Sequence, residues 1–186
     1  MSETLDKLIA AFALAITSPL IAVALVAIRL ESHGSPIFKQ RRVGKDGVQF
    51  DMYKLRTMVS GSDSGPDLPL SQGDPRITRV GALLRRYSLD ELPNLVNVLR
   101  GEMAIVGPRP TIPPQVERYT DRQRRRLEVK PGLTGWAQVN GRVSLSWPER
   151  IELDVWYVDH RSLWLDLRIL VKTLWLLVSG HGLYSG

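Results

Sequence analysis

The sequence predicts an α+β protein, mostly helical, with an N-terminal membrane segment and one domain beside the membrane. Three observations carry this. Leu8 to Ile28 is an uncharged, largely apolar run of 21 residues. Short extended segments flank a Gly44-Lys45-Asp46-Gly47 turn. The rest shows helical apolar periodicity, punctuated by glycine and proline.

Composition sets the outer limits. The 186 residues are enough for one domain with a real core. A net charge of +6 suits an anionic partner, whether nucleic acid, a phosphorylated small molecule or anionic lipid. The absence of cysteine removes disulfides, thiol nucleophiles and thiolate metal sites. His33, His160 and His181 have no metal-ligand spacing. A metal here would be a hard cation on carboxylates and substrate phosphates, Mg²⁺ before Zn²⁺.

The 21-residue run is long enough to cross a bilayer as a helix. A signal peptide fits less well, because the leader carries Glu3 and Asp6 against Lys7. Thr17-Ser18-Pro19 interrupts the middle. Proline removes one helical hydrogen bond, and Ser18 can offer its hydroxyl to a freed carbonyl. Two readings follow: a kinked span, or a re-entrant pair of arms of about 15 Å each. Lys7 and Arg29 flank both ends, so charge marks neither side, and bulk physics favours the span.

Arg29 to Arg56 is basic, with seven Lys/Arg against three acids. Within it, 35–38 and 48–53 read as the strands of a small β-hairpin. Ser60 to Pro75 reads as a surface loop. Val80 to Arg100 is helical in pattern but interrupted near Ser88, with Leu92, Leu95, Val96 and Leu99 as a buried stripe and Gly101 as the stop. Gln115 to Glu128 reads as one polar helix carrying Arg122, Arg124, Arg125 and Arg126, either solvated or facing lipid headgroups. Leu163 to Val178 reads as amphipathic, its apolar face made by Leu163, Leu167, Leu170, Val171, Leu174 and Val178. Trp147, Trp156, Trp164 and Trp175 suit either a core or a headgroup layer, and this region could support a homodimer.

The densest chemistry is Ser88-Leu89-Asp90-Glu91-Leu92-Pro93-Asn94. Ser88 and Glu91 match a capping box, and Asp90 could itself be a cap. A helix start here would keep both carboxylates ionised and attract phosphate or a metal. Arg109, between Pro108 and Pro110, is a stiffly mounted phosphate fork. Lys54 and Arg56 end the second strand on one face, and Arg85 precedes Asp90 by five residues. Gly132, Thr134, Gln138, Asn140 and Arg142 belong to glycine-rich loops whose N–H groups can approach a phosphate or base.

Taken in order, these motifs resemble the bacterial sugar transferase family, the monotopic polyprenyl-phosphate phosphoglycosyl transferases. The matching text is Tyr53 to Met58, Asp74 to Thr78, Ser88 to Asn94, Asn97 to Met103, Gly107 to Pro110, Val129 to Arg142 and Glu152 to Val158. The likeness runs from Leu5 to the C-terminal helix and looks like a minimal catalytic unit. Asn94 departs from the family's usual glutamine.

The resemblance implies that Ser18-Pro19 breaks a re-entrant helix over residues 1–30, reversing the preference for a span. Residues 31–186 would then be a catalytic domain on the cytoplasmic face of the bacterial inner membrane. It also implies Mg²⁺ dependence, Asp90 as nucleophile with Glu91 as its partner acid, a UDP-sugar donor and a polyprenyl phosphate acceptor. Arg85, Arg109, Lys54, Arg56 and Arg142 would meet substrate phosphates. Two rivals stand beside this reading: a basic nucleic-acid-binding membrane protein, for which no motif appears, and a non-catalytic membrane scaffold.

Overall fold

The computed structural model describes residues 1–62, 74–141 and 145–179, except the side chain of Val178. Arg142 and most of the loop predicted at 60–75 lie outside the described residues.

The apolar run forms one helix, α1 (Glu3–Glu31), with Pro19 inside it. The resemblance implied a helix broken at Ser18-Pro19; here the helix runs on through the Ser-Pro step. The carbonyl of Ala15 would have met the N–H that Pro19 lacks, and it accepts the Ser18 hydroxyl at 2.8 Å instead. Thr17 donates in the same way to the Ala13 carbonyl at 2.7 Å. The expected hydroxyl repair is therefore present.

Both ends of α1 are fastened to one body. Asp6 accepts a hydrogen bond from Ile105 N at 3.2 Å. At the far end, Glu31 accepts from the Arg79 and Val80 amides at 2.7 and 3.0 Å, capping helix α2 (Arg79–Arg86). Ala10 joins the main core with Leu95, Met103, Ile105 and Ile169, while Ala24 and Ile28 join a second core with Leu55 and Leu84. Between these anchors Ile16, Ser18, Pro19 and Leu20 are exposed.

The hairpin is present as strands β1 (Ile37–Val43) and β2 (Gln49–Leu55), antiparallel, with Arg42 opposite Phe50 and Phe38 opposite Lys54. Helix α2 is followed by Ser88 in the left-handed region (φ 54°), a 3₁₀ turn at Leu89–Glu91 and helix α3 (Asn94–Leu99). Gly101, at φ 77°, ends α3 as its position predicts. Of the predicted stripe, Leu95 is buried and Leu92 and Leu99 pack half-buried against the main core, and Asn94, Asn97 and Val98 are buried with them. Asn97 can lie inside because its amide is satisfied. It donates to the Asp51 carbonyl and to Glu102, and accepts from Tyr53 N.

Strand β3 (Ala104–Val106) pairs in parallel with β4 (Gly132–Thr134). The polar helix predicted at 115–128 is instead α4 (Pro113–Glu117), α5 (Asp121–Arg124) and a 3₁₀ turn at Arg125–Glu128. It does not present a free basic face, since Arg122 pairs with Glu152, Arg125 with Asp159 and Arg126 with Asp154. These acids lie on α7 (Trp147–His160), which follows the short α6 (Trp136–Val139).

Helix α8 (Leu163–Ser179) leaves most of its predicted apolar face exposed, with Leu170 half-buried against the main core. Leu165, Asp166 and Ile169 face the body and are buried, Asp166 taking the Tyr157 hydroxyl at 2.7 Å. Leu163, Trp164, Leu167, Val171, Leu174 and Trp175 are exposed, Trp164 by 79%. The helix is apolar on both sides, so burying one face still leaves a bare apolar one.

Candidate active site

The positive φ at Ser88 breaks the chain between α2 and α3, and it also cancels the predicted cap. Ser88 makes no side-chain capping bond, and neither does Pro93 ahead of α3. Asp90 and Glu91 are therefore not occupied in closing a helix. The Glu91 side chain turns to two cations. Its Oε1 accepts from Lys54 Nζ at 2.7 Å and from Arg109 at 2.8 Å. Among the described residues, no hydrogen bond or ion pair engages the Asp90 carboxylate.

The electrostatics separate the two acids. Burial opposes ionisation of Glu91, but Arg109 and Lys54 outweigh it and hold its carboxyl well below the usual range. Burial, then the neighbouring Glu91, pushes the Asp90 carboxyl above its ordinary value, and Lys54, Arg85 and Arg109 offset part of that rise. Burial also lowers Lys54 against the pull of Glu91. The result is one fixed, firmly ionised carboxylate beside one unengaged carboxylate in a cationic field.

Arg109 is mounted from behind. Arg126 donates to the Arg109 carbonyl at 2.9 Å and to Asp154 at 2.5 Å, and it takes Tyr119 as a further partner. Burial pushes the Asp154 carboxyl up to about 6 despite Arg126. The Arg109 side chain is 51% exposed, against 15% for Lys54. Arg109 is thus the member of the cluster that a ligand can reach directly.

The remaining predicted residues divide. Arg85 lies close enough to act on Asp90 and is oriented by its Nε–H to Thr57 Oγ1 at 2.8 Å. Gly132 lines a small cavity together with Glu91 and Arg109. Arg56 is not brought to the site. Its guanidinium donates to the Ser32 carbonyl and hydroxyl and to Ser60, tying down the end of α1. Thr134 bonds Thr173 on α8 at 2.7 Å. Asn140 accepts from Lys172 and donates to the Trp136 carbonyl, and Gln138 donates to the Leu133 carbonyl. Thr134 and Asn140 hold the loop to α8 through Thr173 and Lys172, partners that the local sequence could not reveal, while Gln138 keeps a buried Oε1 without a partner.

Arg42 was missed. It lines the same cavity, and burial, then Arg109, lowers its guanidinium to about 10. The signal was a cation opposite core Phe50 in the hairpin register, on the strand face shared with Met52 and Lys54.

Two carboxylates suit Mg²⁺, which takes one or two protein carboxylates and fills its shell with water and substrate phosphate. Asp90 is unengaged and Glu91 uses only Oε1 on its cations, so oxygens remain for a cation. No cluster of three or more His, Cys, Asp or Glu exists among the described residues.

The chain thus carries an unengaged carboxylate beside a clamped one, a mounted arginine and helices with bare apolar faces. Comparison with known proteins narrows this. Residues 1–180 match the family described as bacterial sugar transferase. A sugar transferase of Bacillus subtilis, EpsL, is 46% identical over 185 residues, covering 98% of this chain and 90% of that one. The UDP-glucose:undecaprenyl-phosphate glucose-1-phosphate transferase of Caulobacter vibrioides is 44% identical over 192 residues, covering 98% and 71%. A UDP-N-acetylgalactosamine-undecaprenyl-phosphate N-acetylgalactosaminephosphotransferase of Aeromonas hydrophila is 40% identical over 184 residues, 96% of this chain but 44% of its own length. The chain belongs to the bacterial sugar transferase family.

Proposed function

We propose that this chain moves a sugar phosphate from a UDP-sugar to a polyprenyl phosphate such as undecaprenyl phosphate, by way of an aspartyl phosphosugar on Asp90. The observation that carries the reading is the unengaged Asp90 carboxylate beside a Glu91 clamped by Lys54 and Arg109. An Asp90 oxygen attacks the β-phosphorus, the bond to the bridging oxygen breaks, and UMP leaves. An oxygen of the lipid phosphate then attacks the same phosphorus and releases the carboxylate, giving polyprenyl-diphosphate-sugar. Glu91 is held too acidic to serve as a base, so its role is to orient Arg109 and Lys54 and to help hold Mg²⁺. Mg²⁺ on Asp90 and Glu91 would supply charge neutralisation for the diphosphate. Arg109 and Arg85 add to it, since one like-charge contact at ~4 Å and effective dielectric ~20 costs about 4 kcal/mol.

The test is UMP release from a panel of UDP-sugars with undecaprenyl phosphate and Mg²⁺. Release with at least one donor, dependent on the lipid for turnover, is expected; no release from any would end the reading. The rate should also fall as pH drops. Asp90 attacks only when ionised, and in the metal-free protein burial and Glu91 raise its carboxyl, so the acid limb of kcat/KM is expected to move up as Mg²⁺ is lowered. A limb that does not respond to Mg²⁺ would count against Asp90.

A re-entrant α1 and a site on the cytoplasmic face belong to the same proposal, and the ties at both ends of α1 support the first. The α1 helix, fastened at Asp6 and at Glu31 to one body, suits having both ends on one side of a bilayer. Its exposed middle, with Phe12, Ile16, Leu20 and Val23, and the bare face of α8 suit lipid. The chain has no cysteine, so single Ser2→Cys and Ser35→Cys variants report topology cleanly. Both should react with an impermeant maleimide in inside-out vesicles and neither in intact spheroplasts; opposite outcomes for the two would show a span.

A further inference from the structure

Two polar atoms at the cavity beside Glu91 are left over, and they are complementary. Asn94 is only 2% exposed, and its Oδ1 is buried with no hydrogen-bond partner. Arg42 lines the same cavity, and its Nε is buried without a partner. The other guanidinium nitrogens of Arg42 are engaged, NH1 with the Pro110 carbonyl at 3.0 Å and NH2 with Gln40 at 2.5 Å. The guanidinium is thus fixed with one N–H unmet. Buried polar atoms are normally satisfied, so an acceptor and a donor left open at one cavity are explained by a ligand that supplies both roles. A hydroxyl does so, and so does an acylamino group, whose carbonyl accepts while its N–H donates. A phosphate oxygen satisfies only the arginine.

We infer that Arg42 and Asn94 form the subsite that reads the C2 hydroxyl or acylamino group of the donor sugar. The inference rests on the reading of Asp90 as the group that takes the sugar phosphate. Glu91 and Arg109 wall the cavity and, on that reading, would meet that phosphate. The sugar is joined to the phosphate through C1, so C2 bears the nearest substituent. Met52 and Met103 give the remainder of the cavity an apolar wall. A donor without the C2 group leaves both polar atoms open, a cost of about tenfold or more in kcat/KM.

The experiment compares a C2-substituted UDP-sugar that the enzyme accepts with its 2-deoxy analogue, measuring UMP release in wild type, Asn94→Ala and Arg42→Lys. Wild type should prefer the substituted donor by roughly tenfold or more. In Asn94→Ala that ratio should collapse toward one, because the loss falls on the substituted donor. Arg42→Lys keeps the positive charge but lacks the Nε donor, and it should narrow the ratio in the same way. Thermal melting identifies a variant that fails to fold, and the other variant then decides. An unchanged ratio in a folded variant, with both donors slowed alike, overturns the subsite and leaves these residues as packing groups. A wild type that releases UMP from no donor overturns the transferase reading as well, which separates the two failures.

Discussion

Asp90→Asn is expected to abolish sugar-phosphate transfer, with a loss of roughly 10³-fold or more in kcat. The amide has the size of the carboxylate but cannot form the acyl phosphate. Because no ion pair holds the Asp90 carboxylate and burial disfavours its charge, the substitution should not lower thermal stability. Incubation with radiolabelled UDP-sugar and no lipid should label wild type and leave the variant unlabelled. Normal labelling of Asp90→Asn would show that another group carries the phosphosugar. Glu91→Gln is a poorer probe, since it also weakens the shared anchor of Lys54 and Arg109.

The second large effect is on stability. Asp154→Ala leaves the Arg126 guanidinium buried without its acid, and losing one partner of a buried pair costs about 3–5 kcal/mol. For a chain of this length that is a fall of roughly 10 °C in Tm. The double change Arg126→Met with Asp154→Leu removes both charges and should recover most of the loss. It should not recover activity in full, because the donor to the Arg109 carbonyl is gone and the arginine turn is no longer held from behind. Melting curves in one detergent, read beside kcat, test both halves. A stable single variant would show that water replaces the lost carboxylate.

What could be read from the sequence was local. The apolar run, the Ser18 repair of the proline step, the hairpin around Gly44–Gly47 and the interruption at Ser88 all depend on residues within a few positions of each other. What could not be read was set by distant partners. Ser88 and Glu91 have capping-box spacing, yet Lys54 and Arg109, 37 and 18 residues from Glu91, decide where that side chain goes. Arg126 looked like part of a solvated basic run until Asp154, 28 residues on, took it inside. Arg56, Thr134 and Asn140 have phosphate-binding chemistry and bond instead to neighbouring helices and turns. For α8, Leu165, Asp166 and Ile169 provide the packing face because Asp166 has a buried Tyr157 hydroxyl to meet. Hydrophobic counting alone ranks that face below the one left bare.

The seat of Arg109 also bears on redesign. A Cβ on Gly132 would stand 2.1 Å from Gly107 N, one on Gly135 would stand 2.1 Å from Gly107 O, and one on Gly107 would stand 2.4 Å from the Lys130 carbonyl. Main chain meets main chain at all three, with no flexible side chain to give way. Libraries built to retarget this enzyme to new glycans will find these three codons barren, and productive diversity must be sought around the rim.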